Sequence, residues 1–371
     1  MSKKFLVILA IVLVASLVLG ACTKSTEVPT TEPTVAPTEE PTVAPTEPPA
    51  PKFLACEITD TGGIDDKSFN ATAWKGIEDA IAEYGIEGKY LESQEVADYE
   101  KNINAFIEEG CDLIIPVGFF LADTTKAAAE ANPDVHFSIV DVTYAPPVAN
   151  INGQAFQTDE AAFLAGYVAA GMTKTGKVGT FGGFPIPTVT IFMDGFARGV
   201  KYYNEVKGAT VQVIGWDIEK PETGLFSSSF DDQTKGKELG NTLMDQGADI
   251  IMPVAGPVGI GTLAAVKERG TGYVIGVDND WAIDPGKTDY QGIILTSVMK
   301  FMDATVKEAI KLSMDGEFPG GKNVVGTMAN NGVGLGTLHA DVPAELIAEV
   351  EALKADIIAG KITLGEAFKV Q

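Results

Sequence analysis

Glu109-Gly-Cys-Asp-Leu-Ile-Ile-Pro-Val-Gly118 returns later in the chain as Gln246-Gly-Ala-Asp-Ile-Ile-Met-Pro-Val-Ala255. Each copy contains a short apolar run of strand type, followed by a segment with helical periodicity. Each then reaches a second apolar run that ends in aspartate: His136-Phe-Ser-Ile-Val-Asp141 in the first, Tyr273-Val-Ile-Gly-Val-Asp278 in the second. Strands that alternate with helices build βα units and parallel sheets, so a repeated set predicts two similar α/β lobes. Such lobes bind ligands beyond the carboxyl ends of their strands. Two of them facing each other frame a cleft, and each brings an aspartate to it.

Working outward, further strands are expected at 53–59, 178–181, 211–216 and 250–254, beside those at 113–117, 136–140 and 273–277. The first strand runs into Asp60-Thr-Gly-Gly-Ile-Asp-Asp-Lys-Ser-Phe-Asn70, and helical periodicity begins at Ala73. This strand-to-helix loop combines a tight glycine turn, a carboxylate at Asp60 and the ring of Phe69 beside the amide of Asn70. That set suits a planar ligand with polar edges. The same residues also fit a simpler role, with Asp66 or Ser68 capping the helix and Phe69 packing as a staple. After Asp278 come Asn279, Asp280 and Trp281, then a strand and helix over 293–312 that contain Ser297 and Lys300. A glycine-rich run, 330–336, leads to a last helix over 343–358. These late segments predict a chain that recrosses between lobes, and a hinge that closes on a ligand.

The front end differs in kind. Lys3 and Lys4 precede an apolar run from Phe5 to Leu19, the build of an export signal over 1–21. Leu19-Gly20-Ala21-Cys22 resembles the lipobox of bacterial lipoproteins, which predicts a lipid on Cys22 and an extracytoplasmic, membrane-anchored protein. Residues 22–51 are rich in Pro, Thr and Glu and include the repeat Glu32-Pro-Thr-Val-Ala-Pro-Thr-Glu39 and Glu40-Pro-Thr-Val-Ala-Pro-Thr-Glu47, a composition for a semi-rigid tether rather than a core. The net charge of −24 argues against nucleic acid as a partner. Cys22, Cys56 and Cys111 lack metal-ligand spacing and His136 and His339 lie far apart, so neither a metal site nor a Cys-His nucleophile is expected. Cys56 and Cys111 fall in strand-like runs of one lobe; buried free thiols are the favoured reading, with a disulfide left open.

Several patterns compete for function. Gly259-Ile-Gly261-Thr-Leu-Ala264 follows a strand, opens a helix and has Asp278 downstream, which matches a dinucleotide-binding loop. It supports an alternative reading as a secreted dinucleotide-dependent enzyme; the other reading is that these glycines permit close packing. Ser227-Ser228-Ser229 has no nucleophile frame and reads as a turn. Asp65-Asp66 and Asp278-Asn279-Asp280 do not continue as calcium loops and read as capping or solvated acids. Trp216, Phe226, Phe230 and Trp281 lie beyond second-lobe strands, where one of them would oppose Phe69 across the cleft or pack between lobes.

Taken together, Thr59 to Asn70, Phe163-Leu-Ala-Gly-Tyr167, Asp194-Gly-Phe-Ala-Arg-Gly199, Lys235-Gly-Lys-Glu238, Gly247-Ala-Asp-Ile-Ile251, Gly276-Val-Asp-Asn-Asp280 and Thr296-Ser-Val-Met-Lys300 resemble the basic membrane protein family of ABC-transporter substrate-binding lipoproteins, the purine nucleoside receptor group. The resemblance implies a type I periplasmic-binding-protein fold, two Rossmann-like lobes joined by three crossovers, with lobe 1 from 53–155 plus 292–325 and lobe 2 from 156–291 plus 326–371. It implies a nucleoside, purine favoured, delivered to an ABC permease without catalysis or cofactor; a ligand-sensing receptor or adhesin is a further alternative. By the family's pattern Phe69 stacks one face of the base, and Phe230, or else Phe226, covers the other. Asp60, Asn70 and Asp141 contact ligand from the first lobe, Asp278 and Lys300 hold ribose hydroxyls, and Gly256 brings its backbone to the sugar. The segment 216–229 is longer than the simplest family form, and Trp281 follows the acidic pair, so both are expected to reshape the pocket.

Overall fold

The computed structural model describes residues 52–364, and the expected signal, the tether and Cys22 lie outside them. Along the chain come β1 (Leu54–Ile58), α1 (Phe69–Tyr84), β2 (Glu87–Leu91), α2 (Asp98–Glu109), β3 (Leu113–Pro116), α3 (Ala122–Ala131), β4 (Phe137–Val140) and β5 (Ile151–Phe156). There follow α4 (Thr158–Met172), β6 (Lys177–Gly182), α5 (Pro187–Lys207), β7 (Gln212–Ile214), α6 (Gln233–Asp245), β8 (Ile250–Val254), α7 (Val258–Arg269) and β9 (Tyr273–Asp278). The chain ends with β10 (Ile294–Lys300), α8 (Met302–Met314), β11 (Lys322–Gly326), β12 (Val333–Leu335) and α9 (Ala344–Ile358). Two six-stranded sheets result, ordered β11-β5-β4-β3-β1-β2 and β12-β10-β9-β8-β6-β7. Every pairing is parallel except β10 with β12. The two echoed stretches supply β3 and β8, each at the third place from its sheet's β2 or β7 edge. Both are buried along their whole length, as parallel strands covered on both faces must be.

The chain passes between sheets at Gln157, at Phe301 and over 327–332. The expected boundary at 292 is corrected by β10, which pairs with β9 in the second sheet. The sequence pattern joins this strand to the following helix as one unit, whereas the crossing falls between them: β10 finishes the second lobe's sheet and α8 packs on α1 of the first.

Helix α4 has apolar residues all round because it is buried all round, against α5, α9, β10 and β12. Its crossing with α5 depends on glycine. A β-carbon at Gly199 would lie 1.9 Å from the Phe163 carbonyl oxygen, and one at Gly166 would lie 2.1 Å from that of Phe196. Two of the sequence marks quoted above, Phe163 to Tyr167 and Asp194 to Gly199, thus meet in a single backbone-to-backbone contact.

The favoured reading of Cys56 and Cys111 as free thiols is overturned, because they form a disulfide with Cα atoms 6.2 Å apart. Parallel pairing sets Ala55 beside Leu113 and Cys56 beside Ile114, which brings the turn before β3 alongside β1. Sequence separation concealed this proximity. Among the described residues, no helix is long and apolar enough to cross a membrane.

Candidate ligand-binding cleft

The carboxyl ends of β1, β3 and β4 in one lobe face those of β8, β9 and β10 in the other, around a cavity of about 580 Å3, open mouth included. Asp60, Phe69, Asn70, Asp141, Phe230, Gly256, Asp278 and Lys300 all line it; Phe226 does not.

The first wall is the loop from Asp60 to Asn70. Asp60 Oδ1 accepts hydrogen bonds from the Gly62 backbone N–H (2.9 Å) and from Asn70 Nδ2 (2.8 Å). The Asp60 backbone N–H in turn donates to Asn70 Oδ1 (3.2 Å), which fixes the amide's orientation. Asp66 carries the helix cap: its two carboxylate oxygens accept from the backbone N–H groups of Ser68, Asn70 and Ala71. The capping reading therefore holds for Asp66, while Phe69, at the first position of α1, is free to face the cleft.

Asp141 and Asp278 close the echoed strands in left-handed backbone geometry, with φ of 66° and 70°. Non-glycine residues seldom sit there, and when both lobes repeat the same departure at one cavity it marks a site. Lys300 ends β10, is 3 % exposed and places Nζ 2.6 Å from Asp141 Oδ2 in the opposite lobe. The same ammonium lies 4.8 Å from the centre of the Phe69 ring. Asp278 Oδ2 accepts from Ser68 Oγ across the cleft at 2.7 Å.

Burial dominates the electrostatics. It raises the pKa of Asp60, Asp141 and Asp278; Lys300 opposes the shift at the last two. Asp66 is pushed up to about 7 by burial against the pull of its three backbone N–H bonds. Beneath the loop, Glu57 is buried in β1, and desolvation with the nearby charges of Asp66 and Asp60 raises its pKa well above the usual range. The cavity thus offers several carboxylates against one ammonium that is already paired. It suits a ligand with hydroxyl or amine hydrogens to donate, and disfavours a phosphate.

The second-lobe aromatics separate by task. Phe230 lines the cavity. Phe226 bridges to Gly182 and meets Trp216 edge-on, and Trp216 donates Nε1–H to Asp194 Oδ1 at 2.9 Å. Trp281 is fully buried, donates Nε1–H to the Val277 carbonyl, and occupies the space that a side chain at Gly259 or Gly276 would need. Gly261 abuts the backbone of α6 at Gln233. The Gly259–Gly261 pattern is therefore accounted for by packing, and neither glycine lines the cavity. Ser227 and Ser229 hydrogen-bond within their own turn. Asp280 accepts from Ala282 and Thr337. Sequence reading missed Gly118, Phe119, Phe120, Ile186, Thr188 and Phe192 as cavity residues. Gly118 to Phe120 directly follow the echoed strand, the one signal that pointed to them.

The sequence profile of the Bmp family, ABC transporter substrate-binding proteins of the PnrA-like type, matches residues 53–367. The chain is 34 % identical over 327 residues to the ABC transporter nucleoside-binding protein BmpA of Lactococcus lactis subsp. cremoris, spanning 84 % of this chain and 88 % of that one. It is 31 % identical over 382 residues to the CD4+ T-cell-stimulating antigen of Listeria monocytogenes, spanning 98 % and 99 %. Among solved structures, an ABC transporter system solute-binding protein from Aeropyrum pernix superposes with a TM-score of 0.73 at 27 % identity, over 84 % of this chain and 92 % of that one. Two parallel sheets joined by three crossings are the type I periplasmic-binding-protein arrangement.

Proposed function

From the premise that this chain belongs to the Bmp family of ABC transporter substrate-binding proteins, we propose that it captures a nucleoside, purine favoured, and presents it to a membrane permease. One observation carries the reading: Phe69 and Phe230 line one cavity from opposite lobes, with Asp141, Asp278 and Lys300 gathered beside them. Two flat rings suit the faces of a base, and a purine offers the larger face. Asp60, held by Gly62 and Asn70, presents an acceptor to N–H groups on the base edge. Asp278 and Lys300 accept from and donate to vicinal ribose hydroxyls, and Gly256, with φ of 52°, brings its backbone close to the sugar. The nucleoside-binding name of the Lactococcus relative supports the same class.

Membrane attachment belongs to this reading. Leu19-Gly20-Ala21-Cys22 supports lipidation of Cys22, with residues 23–51 as the tether that lets the folded part reach its permease. Wild-type protein is expected to partition into the detergent phase of cells that process lipoproteins, and Cys22→Ala into the aqueous phase. Equal partitioning would remove the anchor.

The function is tested by a thermal-shift screen of residues 52–371 against purine and pyrimidine nucleosides, their 5′-monophosphates, free bases, sugars, amino acids and nicotinamide dinucleotides. A ligand that binds only the native state raises the melting temperature. Nucleosides are expected to raise it and their monophosphates are not. A response to sugars or amino acids alone would discard the nucleoside, and a response to dinucleotides would revive the enzyme.

A further inference from the structure

Phe184 does not line the cavity and Phe120 lines it without a role in the recognition just described, yet the two meet across the cleft. Phe120 lies in the short 3-10 turn Phe119–Leu121 that follows β3 of the first lobe, and 36 % of it is exposed. Phe184 lies between β6 and α5 of the second. Their rings stand edge to face at 87°, with centroids 5.4 Å apart. Phe184 then meets Phe230, again edge-on, at 5.1 Å. Phe230 is backed by bare backbone, since a β-carbon at Gly183 would fall 2.2 Å from its ring. The loop that carries it is tied there by the N–H groups of Ser227 and Ser228 to the carbonyls of Gly182 and Gly183. Gly183 and Phe184 thus back the cavity wall at Phe230, and Phe184 is flanked in turn by a ring from the other lobe.

We propose that Phe120 and Phe184 form a closure relay. When the lobes come together, Phe120 docks on Phe184, and Phe184 holds Phe230 against the ligand, so that the second aromatic wall is complete only in the closed form. The proposal rests on the reading that the cleft closes on a nucleoside. Phe120 and Phe184 are positioning residues; they act through Phe230. Because Phe120 sits at the exposed rim, its loss leaves each lobe's core intact, and its effect falls on escape from the closed state rather than on entry.

The test is stopped-flow binding of adenosine, guanosine, inosine, cytidine and uridine to wild type, Phe120→Ala, Phe120→Tyr, Phe184→Ala and the double alanine variant. Hydrogen exchange of residues 226–232 is followed in the same proteins with and without nucleoside. Phe120→Ala is expected to speed dissociation roughly ten-fold, about what one favourable edge-to-face pair is worth, with association changed by less than about two-fold. Phe120→Tyr restores the ring and returns the rate to near wild type. The double variant dissociates no faster than Phe184→Ala, because both residues act through one chain of contacts. Exchange of 226–232 quickens in Phe120→Ala although the substitution is in the opposite lobe. Unchanged dissociation and unchanged exchange in Phe120→Ala, or effects that multiply in the double variant, would overturn the relay. If wild type binds none of the nucleosides, the proposed function falls, and the exchange of 226–232 alone decides the relay.

Discussion

Asp66 is buried, raised to about 7, and still accepts the N-terminal N–H groups of α1. A carboxyl group with a raised folded-state pKa binds its proton more tightly when folded. Its stabilising contribution is full below the unfolded value and fades as pH climbs through the folded one. The melting temperature is therefore expected to fall as pH rises from the ordinary value of 3.8 toward about 7, with Glu57 acting in the same direction. Asp66→Asn should be less stable yet show a flatter profile over that window in thermal melts, and an unchanged slope would refute the assignment. At the ligand, Phe69→Ala is expected to cost about 1 to 3 kcal/mol of nucleoside affinity, the range for a lost base-stacking ring. Asp278→Ala should weaken binding with little change in melting temperature without ligand; titration calorimetry checks both. Asp278 was legible from its place at a strand end, and Asp66 and Phe69 from the loop that leads from β1 into α1. Phe226 and Phe230 could not be told apart in sequence, since the choice turns on one bridge to Gly182 that takes Phe226 toward Trp216.

Helices α4 and α5 touch through Gly166 and Gly199, so Gly199→Ala forces a carbon into the Phe163 carbonyl or drives the pair apart. An overpacking cost of about 1 to 3 kcal/mol or more is expected in chemical denaturation. The Cys56–Cys111 bond ties β1 to the start of β3 across a sequence separation of 55. In the chain-entropy picture a loop of that size contributes about 4 kcal/mol, so the double serine variant should unfold at distinctly lower denaturant, and wild type should lose the same amount on reduction. A structural disulfide also suits an extracytoplasmic protein. At this scale most parallel strands were legible because they are short, continuous apolar runs bounded by turns, whereas β5, Ile151-Asn-Gly-Gln-Ala-Phe156, and β11, Lys322-Asn-Val-Val-Gly326, mix polar residues into the run and were missed. Helix α4 has no polar face and so no period. The edge strand β2, Glu87-Gly-Lys-Tyr-Leu91, is largely exposed and carries no apolar run. The lobe assignment of β10 depends on where the chain crosses, which local pattern does not encode.

At the scale of the whole molecule, the lobes also meet at Lys287 and Asn279. Lys287, buried, donates to the Lys67 carbonyl at 2.8 Å, and Asn279 Nδ2 reaches the same oxygen at 3.2 Å. Lys287→Met should loosen this latch, seen as a larger radius of gyration by small-angle scattering with nucleoside bound and as faster ligand release. Identical scattering and release would exclude it. The two-lobe plan itself was legible from the echo, whereas the latch joins a lysine and a backbone carbonyl that no motif pairs. The three crossings carry a further consequence. Gln157 N–H donates to the Gly326 carbonyl at 2.8 Å, and Phe301 N–H donates to that of Gly332 at 3.1 Å, so the connecting segments are laced to one another. A single strand between two bodies acts as a swivel; laced strands act as a door hinge, resisting shear and spin while permitting one swing. If the lobes close as proposed, a permease would need to tell apart only two outlines, ajar and shut, and could leave the identity of the cargo to the cleft.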